Sequence, residues 1–190
     1  MSVMSDRWIV LQGMNGMIKP FTPSIVRLGD SGKVISYGTG SYGYDVKCGR
    51  EFKIFTNTGM REGEAVDPLN FKPELLTTFI GDVCIVPPNT TVLTYSEEYI
   101  KVPNDVSCLV VGKSTYARCG LHCLTTPLEA GWEGQITLEF ANLTKYPIKL
   151  YSGQGCAQIV FLQGDRPCLT TYASRHGKYQ GQTGITLPRG

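Results

Sequence analysis

Glu139 is a lone carboxylate between Leu138 and Phe140, inside a run of otherwise apolar and small residues. Apolar surroundings push a carboxyl pKa upward, and a carboxyl near neutrality is suited to moving protons. A second group of residues precedes it. Lys113, Ser114, Thr115 and Arg118 combine hydroxyls, a point charge and a planar guanidinium. That donor set suits phosphate oxygens. Taken together, residues 112–140 suggest an enzyme acting on a small phosphorylated molecule.

Each group also has a plainer reading. Lys113–Arg118 reads equally as a helix cap with a solvated lysine and a structural arginine. Gly112-Lys113-Ser114-Thr115 resembles the end of a P-loop, but that motif requires an earlier glycine where this chain has Ser107. A strand entering a helix start still exposes unpaired N–H groups, which favour anions. On an alternating strand Ile136, Leu138 and Phe140 share one face, and Thr137, Glu139 and Ala141 the other. Glu139 on a solvated sheet face is the ordinary outcome of such a pattern.

The elements that must position these residues are mostly strands. Short apolar runs at 83–86, 92–95, 107–111, 135–140, 148–151 and 157–162 are separated by turn residues. Their spacing predicts an all-β sandwich, jelly roll or barrel. Helix signals are few. Ser5-Asp6 caps a predicted helix through about Gln12, ended by Gly13. Residues 67–76 predict a short turn or helix restricted by Pro68 and Pro73, and residues 113–119 about one helical turn. Residues 56–78 read as a long surface excursion.

At 190 residues the chain is expected to form one domain over 1–190. A net charge of +2 gives no global field for nucleic acid or a membrane surface. The basic charge is local, because residues 113–128 and 166–190 each contain basic residues and no acid. Seven cysteines, with no C-x-x-C pair, argue against a secreted disulfide framework and for a reducing cytoplasm. There is no signal-peptide pattern at the start, and no window approaches about 18 consecutive apolar residues.

Several ordered motifs then resemble the dCTP deaminases of the dUTPase-like superfamily. They are Gly112–Leu121 (GKSTYARCGL), Trp8, Ser36-Tyr37-Gly38, Ser41–Asp45, Thr125–Glu129, Trp132-Glu133-Gly134, Thr137–Phe140, Ala157-Gln158 and Gly177–Gly184. The resemblance covers nearly the whole chain. It implies a distorted jelly roll or β-barrel with a few short helices, assembled as a homotrimer with sites between subunits. It implies hydrolytic deamination of dCTP to dUTP and ammonia, supplying the precursor of dTTP. Glu139 is then the general base, with Ser114 and Arg118 holding the water and the site geometry. Lys113, Ser114, Thr115, Arg118, Glu129, Trp132, Thr137, Leu138, Gln158, Tyr172, Lys178 and Gln182 are the expected nucleotide contacts. Glu129 lies near the sugar or the attacking water, and Trp132 packs on deoxyribose unless it is simply a core residue. A C-terminal arm over about 172–190, which composition alone reads as a disordered tail, folds over the nucleotide.

Magnesium is expected to ride on the triphosphate, with no metal site on the protein. Zinc is not expected. Zinc deaminases use H-x-E with P-C-x-x-C, and neither His122 nor His176 begins such a motif. Cys119, His122 and Cys123 cluster in sequence but read as packed thiols and a hydrogen-bonded histidine.

The chain departs from the family between His122 and Trp132. Its HCLTTPLEAGW replaces a segment usually like I-V-N-V-T-P-x-E-P-E-W. This opens the choice of pyrimidine, including a 5-substituted dCTP such as 5-methyl-dCTP, and feedback by dTTP. Neutral repacking is the alternative. A bifunctional enzyme releasing diphosphate to give dUMP is a second enzymatic reading. A non-catalytic nucleotide sensor or a jelly-roll assembly protein is the reading from another class.

Overall fold

The computed structural model describes residues 2–29, 32–56 and 63–189. In chain order the elements are β1 (Ser2–Val3), α1 (Asp6–Met14), β2 (Ile18–Lys19), β3 (Val26–Gly29), β4 (Gly32–Thr39), β5 (Tyr44–Lys47) and β6 (Glu51–Phe55). A 3-10 turn at Pro73–Leu75 leads into β7 (Leu76–Ile80), β8 (Val83–Val86), β9 (Thr91–Lys101) and β10 (Val106–Gly112). The chain continues with α2 (Ser114–Ala117), β11 (Leu121–Leu124), β12 (Glu133–Asn142), β13 (Ile148–Tyr151) and β14 (Gly155–Gln163).

The described residues are therefore mainly β, and every strand pair is antiparallel. One six-stranded sheet runs β1-β14-β5-β4-β3, with β10 also on β14. A second six-stranded sheet runs β11-β12-β9-β6-β7, with β2 also on β9. The pair β13-β8 stands apart. Tyr44, Phe52, Leu138, Phe140, Ile159 and Phe161 are fully buried in one core cluster. Burial of this apolar area drives the fold, at roughly 25 cal/mol per Å².

All six apolar runs fall within strands; β8 and β13 match their runs in length, and β9, β10, β12 and β14 extend beyond theirs. The first helix begins where Asp6 predicts but runs past Gly13 to Met14. The Asn15 amide still donates to Leu11, and the chain turns only at Gly16. Part of the 56–78 excursion, residues 57–62, lies outside the described residues. The rest holds an Asp67-anchored turn, the 3-10 turn and the start of β7.

β12 positions the central chemistry. Its burial alternates residue by residue, with Leu138 and Phe140 on the core side and Thr137 and Glu139 on the other. Glu139 lies opposite Leu124 of β11 and Leu93 of β9. β11 pairs only with residues 139–142, so the 133–137 stretch has an open edge on that side. The C-terminal arm occupies this edge. Gln182 bridges Gly134 in parallel, the Gly181 amide donates to the Glu133 carbonyl at 2.8 Å, and the Gln135 amide donates to the Gln182 carbonyl at 2.9 Å.

Candidate active site

A cavity of about 930 Å³ lies over the open face of the second sheet. Its floor is Thr91 and Leu93 of β9, Thr137 and Glu139 of β12, and Leu124 of β11. Phe55 and Phe71 meet edge-on at one end, and Thr125–Glu129 with Trp132 form a wall. Tyr172, Tyr179, Gln182, Thr186 and Pro188 of the arm complete it. The volume and the apolar lining with few polar groups are typical of a small-molecule site.

Glu139 stands on this floor, and burial pushes its carboxyl up to about 7. Its sheet neighbours Leu93 and Leu124 supply apolar surroundings rather than a cation. Desolvation disfavours the charged form, so the group exchanges protons near neutrality. Beneath it, burial and the nearby Glu139 both raise the Cys123 thiol, which keeps it protonated.

Around Glu139 the cavity gathers Glu129, Trp132, Thr137, Tyr172 and Gln182 of the expected contacts. Trp132 fits both readings. It is 4% exposed and packs in the core, yet its ring borders the cavity. Its indole N–H donates to the Tyr179 carbonyl at 3.0 Å. Thr137 Oγ1 accepts the Thr186 amide at 3.1 Å, and Gln182 Nε2 donates to the Gln135 carbonyl at 2.7 Å. Glu129 is ion-paired with Arg175, whose guanidinium also lies 5.2 Å from the Tyr172 ring centroid. The Tyr179 amide donates to the Tyr172 hydroxyl at 3.1 Å.

Leu138 and Lys178 are placed differently. The Leu138 side chain is fully buried on the core face, so only its main chain is available to a ligand. Lys178 is exposed and donates to the Arg189 carbonyl at 3.3 Å, with Arg189 Nη1 returning a bond to the Lys178 carbonyl. Lys178 does not line the cavity.

The expected phosphate residues form a separate group within the chain. Lys113 is ion-paired with Asp45 and donates to Ser36 Oγ at 3.1 Å. Gln158 Nε2 donates to the other Asp45 oxygen at 3.0 Å. Asp45 and Gln158 border a polar cleft of about 510 Å³ that also takes in Ser24, Arg27, Ser36 and Ser41. Ser114, Thr115 and Arg118 lie on or just after α2, exposed, with no side-chain partner among the described residues. None of these residues lines the cavity that holds Glu139. One chain thus presents a pocket holding a carboxyl near neutrality and, apart from it, a cluster of basic and hydroxyl side chains.

Asp45, Phe71, Leu93, Leu124 and Tyr179 border these sites without a role predicted for them from the sequence. Asp45 carried a usable signal, since an acid between Tyr44 and Val46 is the same oddity that marks Glu139. Glu98 carried none, because Glu97-Glu98 reads as a solvated pair. Glu98 is fully buried, with Oε2 accepting the Lys47 amide and Oε1 lacking a partner among the described residues. Burial pushes it too up to about 7.

A family model described as dCTP deaminase-like matches residues 10–164. The chain is 52% identical, over 190 residues and the full length of both proteins, to one named dCTP deaminase from Acidovorax sp. strain JS42. It is equally 52% identical, again over the full length of both, to proteins of that name from Bordetella petrii and Cupriavidus metallidurans. A solved structure titled 2'-deoxycytidine 5'-triphosphate deaminase from Agrobacterium tumefaciens matches in fold, with a TM-score of 0.62 at 15% identity. That match covers 85% of this chain and 48% of the other.

Proposed function

This chain belongs to the dCTP deaminase family, and we propose that it hydrolyses dCTP to dUTP and ammonia with Glu139 as the proton carrier. The observation that carries the mechanism is Glu139 on the floor of the cavity with its carboxyl near 7. Ionised, it takes a proton from water as the water oxygen bonds to C4 of cytosine. It passes that proton to N3, then takes the proton of the new C4 hydroxyl and gives it to the amino group; the C4 carbonyl forms, the C4–N4 bond breaks, and ammonia leaves. Trp132 packs against the deoxyribose, and Glu129 and Gln182 offer polar groups along the same wall. The arm excludes water by completing the cavity.

Lys113, Ser114, Thr115, Arg118 and Gln158 hold the triphosphate, with Ser114 and Arg118 ordering the attacking water. Their separation from Glu139 within one chain supports a site shared between copies, in a homotrimer of dUTPase-like jelly rolls. Asp45 fixes the Lys113 ammonium and also offsets part of its charge, so Arg118 supplies most of the net attraction. Among the described residues the Glu139 cavity has two carboxylates, and Glu129 is already paired with Arg175. Magnesium therefore enters as part of the substrate, carried by its phosphates. The seven unpaired thiols suit a reducing cytoplasm, and no helix among the described residues is long and apolar enough to cross a membrane.

Product analysis with dCTP and magnesium tests this. Ammonia with dUTP is expected, whereas diphosphate with dUMP would assign the bifunctional reaction and bound but unchanged dCTP would assign a sensor. Glu139→Gln is expected to abolish deamination while retaining dCTP binding; near-normal turnover would remove Glu139 from the mechanism. The shared site has its own test. Glu139→Gln and Arg118→Ala are each expected to be inactive alone, and co-assembly is expected to restore about a quarter of wild-type sites by random mixing. No recovery on mixing would place the whole site within one chain.

A further inference from the structure

We propose that the pocket accepts a deoxycytidine triphosphate carrying a small apolar group on C5, with 5-methyl-dCTP as a substrate and Leu124 as the wall that meets the substituent. This rests on the deaminase reading and concerns the substrate class of that same site. Glu139 has to reach C4 and N3, because water attacks the first and a proton goes to the second. C5 is bonded to C4 on the side away from N3. The ring edge carrying C5 therefore lies beside Glu139, toward one of its flanking strands. Both flanking residues on that face are leucines. Leu124 is directly opposite Glu139 on β11, and Leu93 directly opposite on β9.

Either direction of the ring thus points C5 at a branched apolar side chain. Leu93 is 7% exposed and forms closed floor, whereas Leu124 is 57% exposed and borders open space. The substituent is assigned to the Leu124 side, where there is room. Thr91, Phe55 and Phe71 extend the apolar lining. A cavity of about 930 Å³ leaves volume beyond a bare cytosine nucleoside. An apolar wall of this kind does not reject an added methyl and gains from burying it.

The chemistry is that of the parent reaction. Water adds at C4, the C4–N4 bond breaks, ammonia leaves and the carbonyl forms, with no oxidant or reductant. The methyl group is untouched, so the product from 5-methyl-dCTP is dTTP.

The test is parallel turnover of dCTP and 5-methyl-dCTP by the full chain, reading ammonia and separating the nucleotides. The expected result is dTTP formation with kcat/KM at least about one tenth of that for dCTP, since a pocket that excluded the methyl would lower it by roughly 10- to 200-fold. A smaller value with dCTP still consumed overturns the inference and leaves the deaminase reading intact. Turnover of neither nucleotide overturns both. Leu124→Asn then tests the wall. It is expected to move the ratio of the two kcat/KM values about tenfold toward dCTP. A loss of both activities in equal proportion, or an unchanged ratio, overturns the assignment of Leu124.

Discussion

A carboxyl whose pKa rises from 4.5 to about 7 on folding, as for Glu139 and Glu98, binds more protons in the folded chain than in the unfolded one. Their contribution to stability is complete below the unfolded value and is lost as pH rises through the folded value. Between those limits each increment of pH favours unfolding. Thermal denaturation is therefore expected at a lower temperature near pH 8 than near pH 5. Glu139→Gln should reduce that slope, with a gain on the order of 1–2 kcal/mol at the alkaline end. The equivalent pH series on the variant measures it; an unchanged slope would mean Glu139 titrates normally. Catalysis has the opposite dependence. A general base works ionised, so kcat/KM should rise through about pH 7 and then level. The protons that steady the fold at low pH are the ones that silence the enzyme.

The arm depends on close approach more than on buried area. A Cβ at Gly177 would lie 2.1 Å from the Tyr172 ring. Gly177→Ala should displace the ring from the cavity wall and cost on the order of tenfold to a hundredfold in kcat/KM, with little change in melting temperature. Steady-state kinetics and a melting curve on one preparation check both. Arg175 ties the arm to the Glu129 wall through a half-exposed ion pair, worth at most about 1 kcal/mol. Arg175→Ala should raise KM severalfold in low salt and much less in high salt, where screening has already weakened the pair. The strands were legible because they bury alternating apolar residues, as β12 does. The arm was not legible from its own composition. Its glycines, glutamines and lysine carry no burial signal, and its order comes from main-chain bonds to the open edge of β12. Gly131, where the segment 122–132 departs from the family pattern, has a φ of +77° and a Cβ there would lie 2.7 Å from Thr171. The glycine thus permits the wall and the base of the arm to meet.

Resemblance gathered the expected nucleotide contacts into one list, and the fold divides them. Glu139, Trp132 and Tyr172 border one cavity, while Lys113 and Gln158 converge on Asp45 elsewhere. Lys113 and Asp45 are 68 residues apart, so no local pattern announced their pairing. Light scattering is expected to report a trimer, and dilution into monomer should abolish turnover before it unfolds the chain. A monomer retaining full activity would refute the shared site. The wall formed by Tyr179, Gln182, Thr186 and Pro188 has a further consequence. These residues follow every named strand in chain order, so the sheets can be complete before the pocket is. A message cut short between Gln163 and Tyr172 would keep every named strand and lose the outer wall of the pocket. A tag placed beyond Pro188 would follow directly on a residue of the pocket wall, whereas one placed ahead of Ser2 would adjoin β1, beside β14.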